Sequence, residues 1–201
     1  MSIGRKLKLI LILVALSLFW VILYAPGFLL YSSQYEKVDA VVLLLGPDFQ
    51  ARKKEAYDLI NKGMADFLII PAYDKTFRVF DKGTIKYLMA NSPEQKTEKN
   101  NNNDPLPFYE DTHLEIIEAK KAMSNYELNS AIFVSSPYHM RRIKIIVLKE
   151  FDENSGVFYF VPTNYEKAPA RFWELSLNDW KKVAREYGKI LWFYIYFPWT
   201  E

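Results

Sequence analysis

The stretch SSPYHMRR, residues 135–142, sets two hydroxyls, an imidazole and two guanidiniums between the apolar runs SAIFV and IKIIVL. Such a cluster is either a capped helix start with a solvated face or an anion site. Ser136 suits a helix N-cap and Pro137 the first helical position. His139 and Arg142 are three apart and so share one helical face, while Arg141 points elsewhere. A helix N-terminus favours an anion through its unpaired amides and macrodipole, and a nearby guanidinium and imidazole add to that. Taken singly, each arginine reads as well as a solvated residue or the partner of a carboxylate.

Two further clusters carry chemistry. In YEDTHLE (109–115), Asp111 or Thr112 can cap a helix and Glu115 stands near the capping-box position. His113 and Glu115 are two apart and fall on different faces; either can act as an acid or base, the imidazole because it titrates near neutrality. Upstream, VDAVVLLLG ends in Gly46, followed by Pro47, Asp48 and, one turn on, Arg52. Gly46 permits an unusual backbone angle or the close approach of a ligand. No G-x-G-x-x-G or G-K-[ST] occurs, which excludes the dinucleotide fingerprint and the P-loop. Ser135 or Ser136, His139 and Asp111 are available for a triad, but spacing alone does not order them. The chain has no cysteine and two histidines. Disulfides, thiolate nucleophiles, Cys-ligated zinc and an all-histidine site within the chain are therefore excluded, and no metal site is expected. The sequence names no cofactor.

These clusters need elements to hold them. Apolar runs at 38–46, 65–72, 130–136 and 156–162 read as strands buried on both faces. Helices are predicted at 49–63, 77–92 (weakened by Gly83), 111–127, 137–151 and 176–197. Their alternation predicts an α/β domain over 36–197: a three-layer parallel sheet with helices on both faces. In such sheets ligands bind beyond the carboxyl ends of the strands, where the Gly46–Arg52 and SSPYHMRR clusters fall. Residues 92–108 hold an asparagine-rich, low-complexity stretch that reads as a flexible loop. The tail ILWFYIYFPW reads as core, or as contact with a membrane interface.

The N-terminus carries a different signal. Leu9 to Leu30 contains no charge and spans ~33 Å at ~1.5 Å per residue, about one bilayer core. Arg5, Lys6 and Lys8 precede it and no acidic residue occurs before Glu36. Residues 1–34 thus read as a short cytoplasmic tail and an uncleaved transmembrane signal anchor, with the domain exported. Pro26 and Gly27 are expected to kink or end this helix. With half of its residues hydrophobic, a quarter charged and a net charge of +2, the rest is globular, and bulk nucleic-acid binding is not expected.

The order VDAVVLLLGPDFQARKKEAYDLINKGMADFLII, then DTHLEIIEAKKAM, then SAIFVSSPYHMRRIKII resembles the SanA/ElyC/YdcF-like family of bacterial envelope domains. The resemblance covers roughly 38–197. It matches Gly46 and Arg52 in the first loop, Thr112 and Glu115 in the second segment, and Ser135, Tyr138, His139, Met140, Arg141 and Arg142 in the third. The chain departs at IIPAY (69–73), where the family often has Ser-Gly, and in its asparagine-rich insertion. The resemblance implies a Rossmann-like fold, a single N-terminal helix in the inner (cytoplasmic) membrane and a role in envelope biogenesis, including peptidoglycan and lipid-carrier metabolism.

The expected function is binding, and potentially processing, of an anionic phosphate-bearing metabolite or lipid-linked intermediate. Arg52, Arg141 or Arg142 would neutralise its charge, with Gly46, Asp48, Asp111, Thr112, Ser135, Ser136 and Tyr138 around it. His139, Glu115 or His113 would serve as acid or base. Enzyme and binder remain open. The alternatives are a non-catalytic scaffold with envelope protein partners, and a nucleotide or S-adenosylmethionine binder, the latter implied by one soluble branch of the family.

Overall fold

A computed structural model describes residues 3–80, 84–88, 109–151 and 156–200. In chain order the elements are α1 (Ile3–Leu29), β1 (Val38–Leu43), α2 (Phe49–Asn61), β2 (Ala65–Ile70), β3 (Lys75–Phe80), β4 (Thr84–Leu88), α3 (Asp111–Asn125), β5 (Ser130–Ser135), α4 (Met140–Glu150), β6 (Val157–Pro162) and α5 (Leu177–Tyr196). The strands form one six-stranded sheet in the order β4-β3-β2-β1-β5-β6. Strands β2, β1, β5 and β6 are parallel; β3 and β4 extend the sheet antiparallel beyond β2.

The central strands bury both faces, as their unbroken apolar runs require. Ala40, Val42 and Leu44 face a core built with Ile116 and Met123 of α3, Ile143 and Ile146 of α4 and Phe193 of α5. Val41 and Leu43 face the opposite core, with Ala56, Leu59 and Ile60 of α2. Helices therefore cover both faces. Chain order reverses at β1, whose neighbours are β2 on one side and β5 on the other. The carboxyl ends of β1 and β5 thus flank a topological switch point, where a crevice opens between diverging connections.

The helix predicted over 77–92 does not form. Pro71–Tyr73 makes a 3-10 turn and Asp74 adopts a left-handed backbone (φ 49°). The chain reverses there, and Thr76 pairs with Ile69 in an antiparallel ladder. Residues 75–80 alternate in burial, and their β-branched and aromatic side chains suit a half-covered sheet surface. IIPAY is that reversal, so the second strand leads into a hairpin rather than a crossover helix. The asparagine-rich loop expected at 92–108 lies outside the described residues.

Pro26 neither ends nor replaces the last turns of α1, which runs to Leu29. Carbonyls at this end are taken up by the domain: Tyr187 Oη donates to Ala25 O at 3.0 Å and Arg141 Nε to Phe28 O at 2.8 Å. Leu29 is fully buried with Tyr138 and Val183, and Ser33 N donates to Phe160 O of β6. Lys6–Leu29 is long and apolar enough to cross a membrane, by length and composition. Its side chains are mostly exposed until the last turns, where it meets the domain.

Candidate functional site

The two loops at the switch point are tied together by Arg52, 2% exposed on the first turn of α2. Its Nε donates to Ser136 Oγ at 3.0 Å, and its Nη1 to Leu44 O at 3.3 Å and to Leu45 O. The guanidinium lies under the β1–α2 loop so closely that a Cβ at Gly46 would overlap it. The close approach that Gly46 permits is therefore that of Arg52, not of a ligand. Ser136 starts the 3-10 turn Pro137–His139 with its backbone, but its hydroxyl makes no cap hydrogen bond. The oxygen expected to satisfy a helix amide serves the arginine instead.

The opposite wall is the start of α3. Glu110, rather than Asp111 or Thr112, occupies the N-cap, and no side chain caps the helix. Glu115 forms no capping box; its Oε2 accepts from Leu45 N at 3.1 Å. Burial is the main influence on this carboxyl and pushes it up to about 7, although the Leu45 amide and the Arg52 charge pull the other way. Glu115 thus exchanges a proton in the physiological range.

Below this wall lies a buried charge network. Arg142 Nη1 donates to both Glu110 oxygens at 2.6 Å, and Nε to Glu186 Oε2 at 2.8 Å. Lys189 Nζ donates to Glu110 Oε1 at 2.9 Å. Two cations and two carboxylates balance, as buried charge requires. Burial opposes ionisation of Glu186, but hydrogen bonds and charge from His139 and Arg142 win and hold it down at about 2. Burial likewise works against the Arg142 cation, yet the two carboxylates raise it above the ordinary arginine value.

His139 Nδ1 lies 2.9 Å from Arg142 Nη2 and 3.0 Å from Glu186 Oε1. One ring nitrogen satisfies only one of them at a time. Unprotonated, it accepts from the guanidinium, the Nε2 carries the hydrogen, and Glu186 Oε1 is left without a hydrogen-bond partner. Protonated, it donates to Glu186 and confronts Arg142. Burial, aided by the Arg142 and Arg52 charges, pushes the imidazole below its usual value despite Glu186.

A cleft of about 340 Å³ opens between these groups. Among the residues singled out from the sequence, Gly46, Arg52, Asp111, Thr112, Glu115, Ser135, His139 and Arg142 line it. Ser136 supports it through Arg52. Asp48 sits at the N-cap of α2 with Lys182 at 3.8 Å, outside the lining. Tyr138 is buried against α1, its hydroxyl donating to Pro169 O at 2.6 Å. Arg141 stacks over Phe28 and Tyr31 and belongs to the α1 junction. His113 is fully buried elsewhere, with Nε2 2.5 Å from Glu150 Oε1 and Nδ1 2.9 Å from the Tyr196 hydroxyl.

Sequence reasoning missed the contribution of α5: Glu186 in the network, and Arg185 and Lys189 in the lining. A signal existed. Val183, Glu186, Ile190 and Phe193 follow a helical stripe, and a carboxylate on an apolar stripe requires a buried partner. Among the described residues no group of His, Asp and Glu could hold a metal ion.

No family model matches the chain, and neither curated proteins nor solved structures give a significant match.

Proposed function

We propose that this chain is a bacterial inner-membrane protein whose Rossmann-like domain, of the SanA/ElyC/YdcF-like kind, binds a phosphate-bearing anion in envelope biogenesis. On this reading α1 spans the membrane, the basic tail is cytoplasmic and the domain is exported. The ligand is a phosphorylated metabolite or lipid-carrier intermediate whose charged head enters the cleft.

One observation carries the proposal. Arg52 is a buried cation whose hydrogen-bond acceptors, Ser136 Oγ and two carbonyls, are all neutral. Among the described residues it forms no ion pair; the carboxylates of Glu166, Glu115 and Asp48 act on it only at longer range. Buried charges are ordinarily paired. A phosphate oxygen at the cleft floor would supply the missing anion in the planar geometry that a guanidinium favours. Arg142 is not equivalent: its charge is already matched by Glu110 and Glu186. Arg185, exposed at the rim, adds a second cation that has no ion pair among the described residues. A volume of about 340 Å³ suits a phosphorylated head group, at the small end of ligand sites. Protonated Glu115 donates to the bound anion, and His139, in the cleft lining, serves as base for any proton transfer.

The test is calorimetric titration of the detergent-purified full-length protein with inorganic phosphate, pyrophosphate and a short-chain polyprenyl phosphate. The wild type is expected to bind at least one of them. Arg52→Lys, which keeps the charge but not the fork, should weaken binding at least tenfold. Arg185→Ala, at an exposed position, should weaken it severalfold without changing the circular dichroism spectrum. Equal affinity in wild type and Arg52→Lys, or no binding of any of the three, would sink the proposal.

A further inference from the structure

A second cavity, of about 510 Å³, lies where α1 meets the domain. Trp20, Leu23, Tyr24 and Phe28 of α1 form one wall; Ala170, Arg171 and Trp173 form the other. Nothing in the candidate site uses it. Trp20 and Tyr24 stack at 5.7 Å, presenting a flat aromatic face. Opposite, Trp173 is 65% exposed and, just beyond it, Leu177 is 82% exposed. A domain surface facing only water seldom presents such side chains together, and tryptophan and tyrosine concentrate where hydrocarbon meets head groups.

The rim is cationic. The partner of Arg171 is Glu174 at 3.8 Å, and both are well exposed, so that pair is worth little. The Arg171 guanidinium lies 5.6 Å from the Trp173 ring centroid. Around the same exit point, Arg141 and Lys144 lie over Tyr31, at 4.9 and 3.9 Å. The combination is an apolar slot beside a helix of membrane-crossing length, ending in an arginine only weakly paired at its exposed rim.

Resting on the reading that α1 spans a bilayer, we propose that this groove holds an acyl chain of an anionic phospholipid, with Arg171 on the head-group phosphate. The occupant follows from what the groove offers. One wall is continuous with the bilayer-spanning surface, so hydrocarbon reaches it without crossing water, and the rim charge selects an anionic head. A bound lipid would complement the fixed joint made by Tyr187, Arg141 and Leu29, holding the domain at one height and tilt over the membrane.

The test reconstitutes the full-length protein in nanodiscs of equal parts phosphatidylglycerol and phosphatidylcholine, followed by native mass spectrometry of the released protein. The wild type should retain phosphatidylglycerol severalfold over phosphatidylcholine. Arg171→Glu should abolish the preference, and Trp173→Ala should reduce the retained lipid of both kinds; both positions are exposed, so folding is preserved. Retention in the bulk ratio by the wild type, or an unchanged ratio in Arg171→Glu, overturns the proposal, as does preferential capture of polyprenyl phosphate over phosphatidylglycerol when it is added. Carbonate extraction of membranes separates the two readings. Protein that resists extraction yet shows no lipid preference refutes the groove and leaves the span standing, whereas release by carbonate refutes both.

Discussion

At the residue scale, the two conspicuous arginines of the site do different work. Arg142 is enclosed by Glu110, Glu186 and His139. Arg142→Ala leaves Glu186 without its guanidinium partner and Glu110 with Lys189 alone, and should lower stability by about 3–5 kcal/mol, measured by thermal or denaturant unfolding in detergent. Arg52 instead has only longer-range carboxylates, Glu166, Glu115 and Asp48, and no ion-pair partner among the described residues, so its loss should be felt first in binding. Glu115 supplies a pH dependence with a definite sign. Its folded pKa of about 7 lies above the 4.5 of the unfolded chain. The stability it contributes is complete below 4.5 and is lost as pH rises through about 7, where a partly buried carboxylate must form. Glu115→Gln keeps an acceptor for Leu45 N without that cost. It should be more stable than wild type at pH 8, by about 1–3 kcal/mol in unfolding experiments, with the difference vanishing near pH 4.5. Across the same interval phosphate affinity in the wild type should fall relative to that of the variant, in which only the titration of phosphate itself remains. The spacing of His139 and Arg142 made their contact legible in the sequence. The hydroxyl of Ser136 was not, because an N-cap and an arginine acceptor require the same residue at the same place.

At the element scale, the parallel strands and all four domain helices, α2 to α5, were legible because their periodicity is strong and their packing agrees with it. The 77–92 segment was not. Its apolar residues fit a weak helix as well as two short strands, and the deciding factor was the reversal at Pro71–Asp74, which placed the next residues beside the exposed edge of β2. Tertiary pairing overrides marginal local preference in this way. The most explicit local signal in the chain is at α5. Ser176 Oγ accepts from Asp179 N at 3.2 Å, and the Asp179 carboxylate accepts from Ser176 N at 2.9 Å. Since α5 brings Arg185, Glu186 and Lys189 to the cleft, its start has consequences for the site. Ser176→Ala should cost about 1 kcal/mol in unfolding experiments, while leaving phosphate affinity within twofold.

At the scale of the whole molecule, the apolar helix is fixed to the domain rather than leashed to it. Leu29 is buried, Tyr187 and Arg141 hold carbonyls of its last turns, and Ser33 joins the edge of β6. A change in helix tilt would therefore be carried to α4 and α5, both of which reach the cleft. The orientation proposed for the chain makes a direct prediction: a reporter fused after Glu201 should be active when it requires export and silent when it requires the cytoplasm. The reverse pattern would place the domain inside the cell and remove the envelope reading. The exposed Leu191, Trp192, Tyr194 and Ile195 show that the aromatic tail divides between two environments, since Phe193 and Tyr196 on the same helix are buried.

What the sequence determined by itself was whatever depends on neighbours along the chain: the apolar span at the N-terminus, the buried strands, the helix faces, and the grouping of polar residues at strand ends. These follow from periodicity and burial, which a linear pattern records. The tertiary structure alone decided which charges meet. Glu110 precedes α3, Arg142 lies on α4 and Glu186 on α5, and Arg52 reaches Ser136 across 84 positions. Partnership between charges depends on a few ångströms in space and on the removal of water, and neither quantity is written in the spacing of residues along the chain.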